Sequence, residues 1–463
     1  MHPPLKADWQ AFEALLAETM DYAARFLAGI DERAPGMLPA PFSQGDLPEQ
    51  GLGGAAALRL FEAEYAAAIQ ASAGPRYFGY VTGGTTPAAL MGDWLVSTFD
   101  QNAAFAHDSA APYIEAEALH FIRQLLGLSA RHHGTFVTGA TQSNLVGLAL
   151  ARSWVARQAG HNISQDGLYG LPPIPILSGT AHSSAYKAVA ILGMGRKNLL
   201  SLPTLPGREA VNVAAVQAEL EALGGRPCIV IANAGIVNTG DFDDLAAIAE
   251  LKSRYNFWLH VDGAFGGVAA ASPRFRHFTE GMEAADSICV DAHKWLNVPY
   301  DAAMQFSPHR DLQVELFQNR AAYLGLPTDN PDYVHLTPES SRRFRALPAW
   351  FSLQAYGRAG YAEMIERNCD LARALGEKIA ASETYELLAP VRLNIVCFSL
   401  TGAPTESQIK DLLARVREGG RAFFTPTVLW GRPAIRAAFS NWRTQAEDVT
   451  IAWEALQQAI SNK

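Results

Sequence analysis

"FWLHVDGAFGG" (residues 257–267) and "SICVDAHKW" (residues 287–295) decide how this chain is read. Each begins as a buried strand and ends in groups a buried strand does not need: Asp262 in the first, Asp291, His293 and Lys294 in the second. Similar runs alternate with amphipathic helices from about residue 86 to 320. "GTFVTG" precedes the helix "TQSNLVGLALARSWVA", "PILSGTAHSSAYKAVAILG" reads as strand, polar turn and helix, and "CIVIANAG" leads to "DFDDLAAIAELKSRYN". Alternation of this kind predicts an α/β fold, a mostly parallel central sheet with helices on both faces. Ligands of such sheets bind beyond the carboxyl ends of the strands, which is where these polar residues fall.

Outside that core the pattern changes. Trp9 to Ala28 carries Phe12, Leu15, Leu16, Met20, Ala23, Phe26 and Leu27 at helical spacing, a Pro/Gly-rich stretch follows, and a second helix is expected over 55–71. Residues 1–85 are too interrupted to form an independent domain, so their apolar faces are expected to pack on another subunit. Residues 86–345 make the large domain. From 346 to 463, helical runs mix with "LNIVCFSL" and "IRAAFSN", which predicts a small α+β domain.

Composition narrows the function classes. A chain of 463 residues with 49% hydrophobic and 18% charged residues is an ordinary globular protein. Its net charge of −9, with no Lys/Arg block, argues against nucleic acid as a partner. Four widely spaced cysteines without a C-x-x-C suggest buried thiols in a reducing compartment. No uncharged apolar run approaches spanning length and the N-terminus lacks a signal-peptide core, so no membrane partner and a cytoplasmic location are expected.

Lys294 is the sharpest chemical signal. A lysine at a strand mouth can be desolvated into a nucleophile that captures a carbonyl cofactor, although a lone lysine there is usually a surface residue. Its companions carry the argument. Asp262 can pair with a buried cation such as a protonated pyridine ring, and Gly263 and Ala264 let a flat ring approach the backbone. "TGATQSNLVGL" places glycine at a strand exit and Thr141 near a helix start, a phosphate cradle that needs no lysine. His182, where a strand gives way to a helix, can stack on a ring or donate to a carboxylate. The chain has no P-loop, no complete G-x-G-x-x-G, no G-x-S-x-G and no H-E-x-x-H. His132–His133 and His260-x-Asp262 lack the rest of a metal site, so no metal is expected.

With these residues in view, the sequence resembles the group II amino-acid decarboxylases that use pyridoxal 5'-phosphate (PLP), in the fold-type I superfamily with aromatic-amino-acid, glutamate and cysteine-sulfinate decarboxylases. The similarity runs from "GPRYFGYVTGG" (residues 74–84) to "RRFRALPAW" (residues 342–350), with "DAHKW" and "HVDGAFGG" its most specific parts. The resemblance implies a Schiff base of PLP on Lys294, Asp262 at the ring nitrogen, His182 stacked on the ring, and Ala140, Thr141 and His293 around the phosphate. It implies Asn233 near the phenolic oxygen and Ala264 beside the ring. It also implies an amino-acid substrate decarboxylated through a quinonoid, and a homodimer with shared sites in which Tyr80, Val81 and Thr82 face the substrate. "NPDYVHLTPESS" (residues 330–341) resembles the family's catalytic loop, with Tyr333 on the tyrosine that protonates the carbon after CO₂ leaves. Val81-Thr82 replace the Phe-Pro that aromatic-amino-acid decarboxylases tend to carry, which weakens the expectation of a bulky aromatic substrate. The same cofactor apparatus also supports carbon–carbon lyase or aminotransferase chemistry, and a non-catalytic member is a third reading.

Overall fold

The computed structural model describes residues 1–36, 45–319 and 331–461. Its centre is a seven-stranded sheet of β1 (His133–Val137), β2 (Ile176–Ser178), β3 (Leu199–Ser201), β4 (Cys228–Asn233), β5 (Phe257–Asp262), β6 (Ser287–Asp291) and β7 (Ala303–Ser307). The order is β1-β7-β6-β5-β4-β2-β3. All neighbours are parallel except β7, which runs antiparallel to both β1 and β6. The expected α/β architecture is therefore observed.

The strand sequences explain why both faces of this sheet are covered. Every residue of β4, β5 and β6 is buried, and alternate residues serve opposite faces. Val230, Leu259, Val261, Ile288 and Val290 join one apolar cluster, whereas Ile229, Ile231 and Trp258 join another with Leu148 and Leu150 of the helix Ala140–Gln158. His260 has the parity of Trp258, and Gly147 admits it: a Cβ there would lie 2.8 Å from His260 Cε1.

A second sheet is wholly antiparallel, in the order β10-β11-β9-β8, made of β8 (Tyr385–Leu387), β9 (Ile395–Leu400), β10 (Thr425–Leu429) and β11 (Arg432–Ala438). The long helix Ala346–Ala380, kinked at Gly357, packs on the helices Pro87–Phe99 and Ala111–Leu125 and then on β8 and β9. A second tie is the extended segment around Phe78, whose N–H donates to the Phe423 carbonyl and whose carbonyl accepts from Ala438 N–H. It ends at Gly83, where a Cβ would overlap the carbonyl oxygen of Lys294. The helices Pro3–Gln10, Phe12–Ala28 and Gly54–Glu64 contain no buried residue, and Leu5, Trp9, Phe12, Leu16 and Met20 are exposed. No helix among the described residues is long and apolar enough to cross a membrane.

Candidate active site

The carboxyl ends of the parallel strands open onto one cleft, whose walls include Ala140, His182, Asn233, Asp262, Ala264 and Lys294. Val81 reaches the same cleft from the segment that follows Phe78. Residues separated by more than a hundred positions in sequence thus meet because β4, β5 and β6 run parallel and side by side.

Asp262 is the last residue of β5 and is buried. Its Oδ1 accepts from the Ala264 N–H (3.2 Å) and its Oδ2 from the Asn144 amide (2.9 Å). His182 is the N-cap of the helix Ser183–Ile191, with Nδ1 accepting from the Ser184 N–H at 3.2 Å. Burial pushes this imidazole below its ordinary range. Asp262 opposes that shift, while Lys294 and Arg436 reinforce it. The ring is consequently neutral at physiological pH. Asn233 closes β4, and its amide donates to Asp243 (3.0 Å), a buried acid pushed up to about 6 by desolvation.

Lys294 follows β6, its Nζ 3.8 Å from Asp291 Oδ2 and its side chain 22% exposed. Asp291 is the reason an acid stands so close. Its Oδ2 accepts from the Ala140 N–H (3.1 Å), so it satisfies an orphan donor in the first turn of the helix Ala140–Gln158. Desolvation raises this carboxyl to about 6, with Lys294 and the Ala140 N–H pulling it down. His293 Nδ1 lies 3.1 Å from Asp291 Oδ1, and the ring packs on Tyr300 with centroids 4.2 Å apart. Burial, then Lys294, lowers His293 to about 4. It is not part of the cleft wall.

Gly139 is the N-cap of the helix Ala140–Gln158, and Thr141 is its second residue. Tyr80 is 60% exposed in a left-handed conformation, while Thr82 is buried with its carbonyl accepting from Ser440 Oγ (3.1 Å), so of the trio only Val81 lines this chain's cleft.

Tyr333 does not reach this chain's cleft. It lies in the 3-10 turn Tyr333–His335, buried in the large core, with the Arg342 guanidinium 4.9 Å from its ring centroid. Arg342 is itself clamped by Glu115 (2.8 Å) with both side chains fully buried. The phenol is enclosed away from this chain's cleft, and burial holds it far above its ordinary range. Asn330, the first residue of that loop, lies outside the described residues.

The sequence reading also missed three groups. Asn144 and His260 form a buried polar layer beneath the cleft: His260 Nε2 is 2.9 Å from Asn144 Oδ1. Both stand inside the stretches that carry the fold, but a polar residue on a buried face is visible only once its partners are known. Arg436, in "IRAAFSN", is buried in β11, and its Nη1 donates to the carbonyl of Val237 in the cleft wall (3.0 Å). Its Nε has no partner among the described residues.

The donor set fits PLP: a lysine amine, a carboxylate aimed from β5, an imidazole and a helix N-terminus share one cleft. The N–H groups of Thr141 and Gln142 have no helical carbonyl to take them, as a phosphate site requires. Among the described residues no group of three His, Cys, Asp or Glu could hold a metal ion.

Comparisons with known proteins agree. Residues 58–401 match the family model described as the pyridoxal-dependent decarboxylase conserved domain. Aromatic-L-amino-acid decarboxylase of Sus scrofa is 28% identical, over 95% of this chain and 94% of that protein. Phenylacetaldehyde synthase of Arabidopsis thaliana is 27% identical, over 84% of this chain and 82% of the relative. The crystal structure of the Oryza sativa protein TDC with PLP and tryptamine superposes with a TM-score of 0.89 at 23% identity, covering 98% of both chains.

Proposed function

Since the chain belongs to the pyridoxal-dependent decarboxylases, PLP-dependent carboxy-lyases of fold type I, we propose that it removes the α-carboxylate of an L-amino acid as CO₂ and releases the amine. The single observation that carries this is the convergence of Lys294, Asp262 and His182 on one cleft at the strand ends. Bound PLP supplies an aldehyde that captures amines and a protonated ring that draws electrons from the breaking bond.

The protein's part is placement. Lys294 presents its amine where Asp291 restrains it, and Gly83 keeps the lysine turn in register. Asp262 would hold the ring N–H of bound PLP, Ala140 and Thr141 with His293 would hold its phosphate, and Asn233 and Ala264 would border the ring. His182 accepts at Nδ1, so its proton resides on Nε2, free to donate to a substrate carboxylate. Arg436 adds a buried cation with an unspent donor, suited to anchor an anionic group of the substrate.

Two further assignments belong to this reading. The arm helices, with apolar faces and no buried residue, support a homodimer in which Tyr80 and Thr82 serve the partner's cleft. Tyr333 is withdrawn as the acid that reprotonates carbon. Tyr323, outside the described residues, precedes that segment in sequence, and separate Tyr323→Phe and Tyr333→Phe variants test which one matters.

The deciding experiment screens aromatic amino acids, glutamate and cysteine sulfinate for CO₂ release by the PLP-loaded protein, with parallel detection of amine, aldehyde and keto acid. Equimolar CO₂ and amine is the expected result. Keto acid without CO₂, or a Lys294→Ala protein that keeps the visible absorbance of lysine-bound PLP, would overturn the reading.

A further inference from the structure

Beneath the cleft runs a chain of hydrogen bonds whose direction is fixed at every link. Trp258 Nε1–H can only donate, and it meets Ser287 Oγ at 2.9 Å. Ser287 Oγ in turn lies 2.7 Å from His260 Nδ1. On the other side of that ring, His260 Nε2 is 2.9 Å from Asn144 Oδ1. The Asn144 amide then spends its two hydrogens on Asp262 Oδ2 (2.9 Å) and Ser184 Oγ (3.1 Å). Ser184 Oγ sits 2.8 Å from His182 Nδ1, which also accepts the Ser184 backbone N–H.

A carboxylate accepts only, so it sets which end of the Asn144 carboxamide faces it. The oxygen must then face His260, which places a proton on His260 Nε2 and leaves Nδ1 to accept from Ser287. With both amide hydrogens used, the Ser184 hydroxyl has its own hydrogen for His182 Nδ1, and the His182 proton is left on Nε2. All of Asn144, His260, Ser287 and Trp258 are buried, and Gly147 one turn along the same helix makes the room His260 occupies.

We propose that Asn144 is the positioning residue of this site: its one carboxamide ties Asp262 to His182 through the Ser184 hydroxyl and sets the tautomer of His260, while the Ser184 backbone N–H holds His182 Nδ1 as an acceptor. It touches neither substrate nor cofactor and acts through the two groups that do. This rests on the reading of Asp262 and His182 as the ring partners of PLP. Without Asn144, the Asp262 carboxylate keeps only the Ala264 N–H, His260 Nε2–H loses its acceptor in a dry interior, and Ser184 is free to rotate away from His182.

The test begins with the unsubstituted protein, labelled with ¹⁵N-histidine and freed of PLP. Nitrogen shifts, assigned with His182→Gln and His260→Gln proteins, are expected to show both rings as the Nε2–H tautomer from pH 6.5 to 8. An Nδ1–H tautomer on either ring would overturn the proposal, whatever becomes of any variant. The second arm is Asn144→Leu, similar in volume but unable to hydrogen-bond. Its dissociation constant for PLP should rise roughly 10- to 100-fold, the scale for losing a hydrogen bond to a charged group, and His260 should lose its fixed Nε2–H tautomer. Unchanged PLP affinity and an unchanged His260 signal would mean that Asn144 only fills space. Both readouts are independent of turnover, so a protein that fails to decarboxylate any amino acid still tests the role of Asn144.

Discussion

Two buried arginines sit in chemically similar dark corners of this molecule and are put to opposite uses. Arg342 spends all four of its terminal N–H hydrogens: two on Glu115, one on the Ala103 carbonyl and one on the Phe136 carbonyl. Arg436 makes one hydrogen bond, to Val237, and desolvation lowers its pKa. The Nε of each arginine is buried without a hydrogen-bond partner among the described residues, so the two differ at their terminal nitrogens. There the first charge is closed and belongs to the architecture, whereas the second is left open, which is why we assign it to the proposed site. Strand-end residues follow the same division, for Asp291 is a buried acid carried at an energetic disadvantage next to the lysine it restrains.

That contrast can be broken most forcefully at Arg342. Replacing it with Met strands Glu115 in a dry core and should remove about 3–5 kcal/mol of stability, measured by urea unfolding. Arg436→Met should leave stability within about 1 kcal/mol, because Arg436 has no salt bridge among the described residues and Glu209, the buried carboxylate its charge acts on, keeps its hydrogen bonds from Asn238 and Thr239. If the two substitutions prove equally damaging, the distinction between closed and open charge fails.

Asp291→Asn sharpens it through pH. A carboxyl raised from 3.8 to about 6 binds its proton more tightly folded than unfolded, so its contribution to stability is lost as pH rises through that window. Relative to the unsubstituted protein, the Asp291→Asn variant should therefore gain about 2.5 kcal/mol between pH 3.8 and pH 7. Paired unfolding curves in the PLP-free state measure this. His293, depressed to about 4, has the opposite sign and touches Asp291, so the same comparison in a His293→Gln background isolates the carboxyl.

For catalysis, Arg436→Met should reduce kcat/KM by about 10- to 100-fold, the effect of losing a charge-assisted anchor, with the larger part in KM. The smallest effect is expected at Tyr333→Phe. Its ring packing on Arg342 survives, so stability should change by less than about 1 kcal/mol and amine formation should be unchanged in a steady-state assay. A large loss of amine from this variant would return Tyr333 to the chemistry.

The failure at Tyr333 shows where a sequence stops being informative. Its segment is placed by counting back from "RRFR", and that count says which residues share a loop without saying which one is enclosed. The enclosure comes from Glu115 and Arg342, 227 positions apart, and no local signal marks that pair. Asn144 and His260 are equally silent, since each is one polar residue within an apolar pattern that is correct without them.

What the sequence determined by itself was what depends on neighbours in the chain. Alternating β runs and amphipathic helices specify a parallel sheet, because each strand needs both faces covered. Lys294, Asp262 and His182 were legible because chemistry concentrates at the strand ends, and parallel order carries all of those ends to one edge. Only the tertiary structure decided which buried charges are satisfied and which are left open. That property depends on side-chain partners from distant elements, such as Asn144 beneath Asp262 or Val237 beside Arg436, and on how many hydrogen bonds each pairing leaves unused.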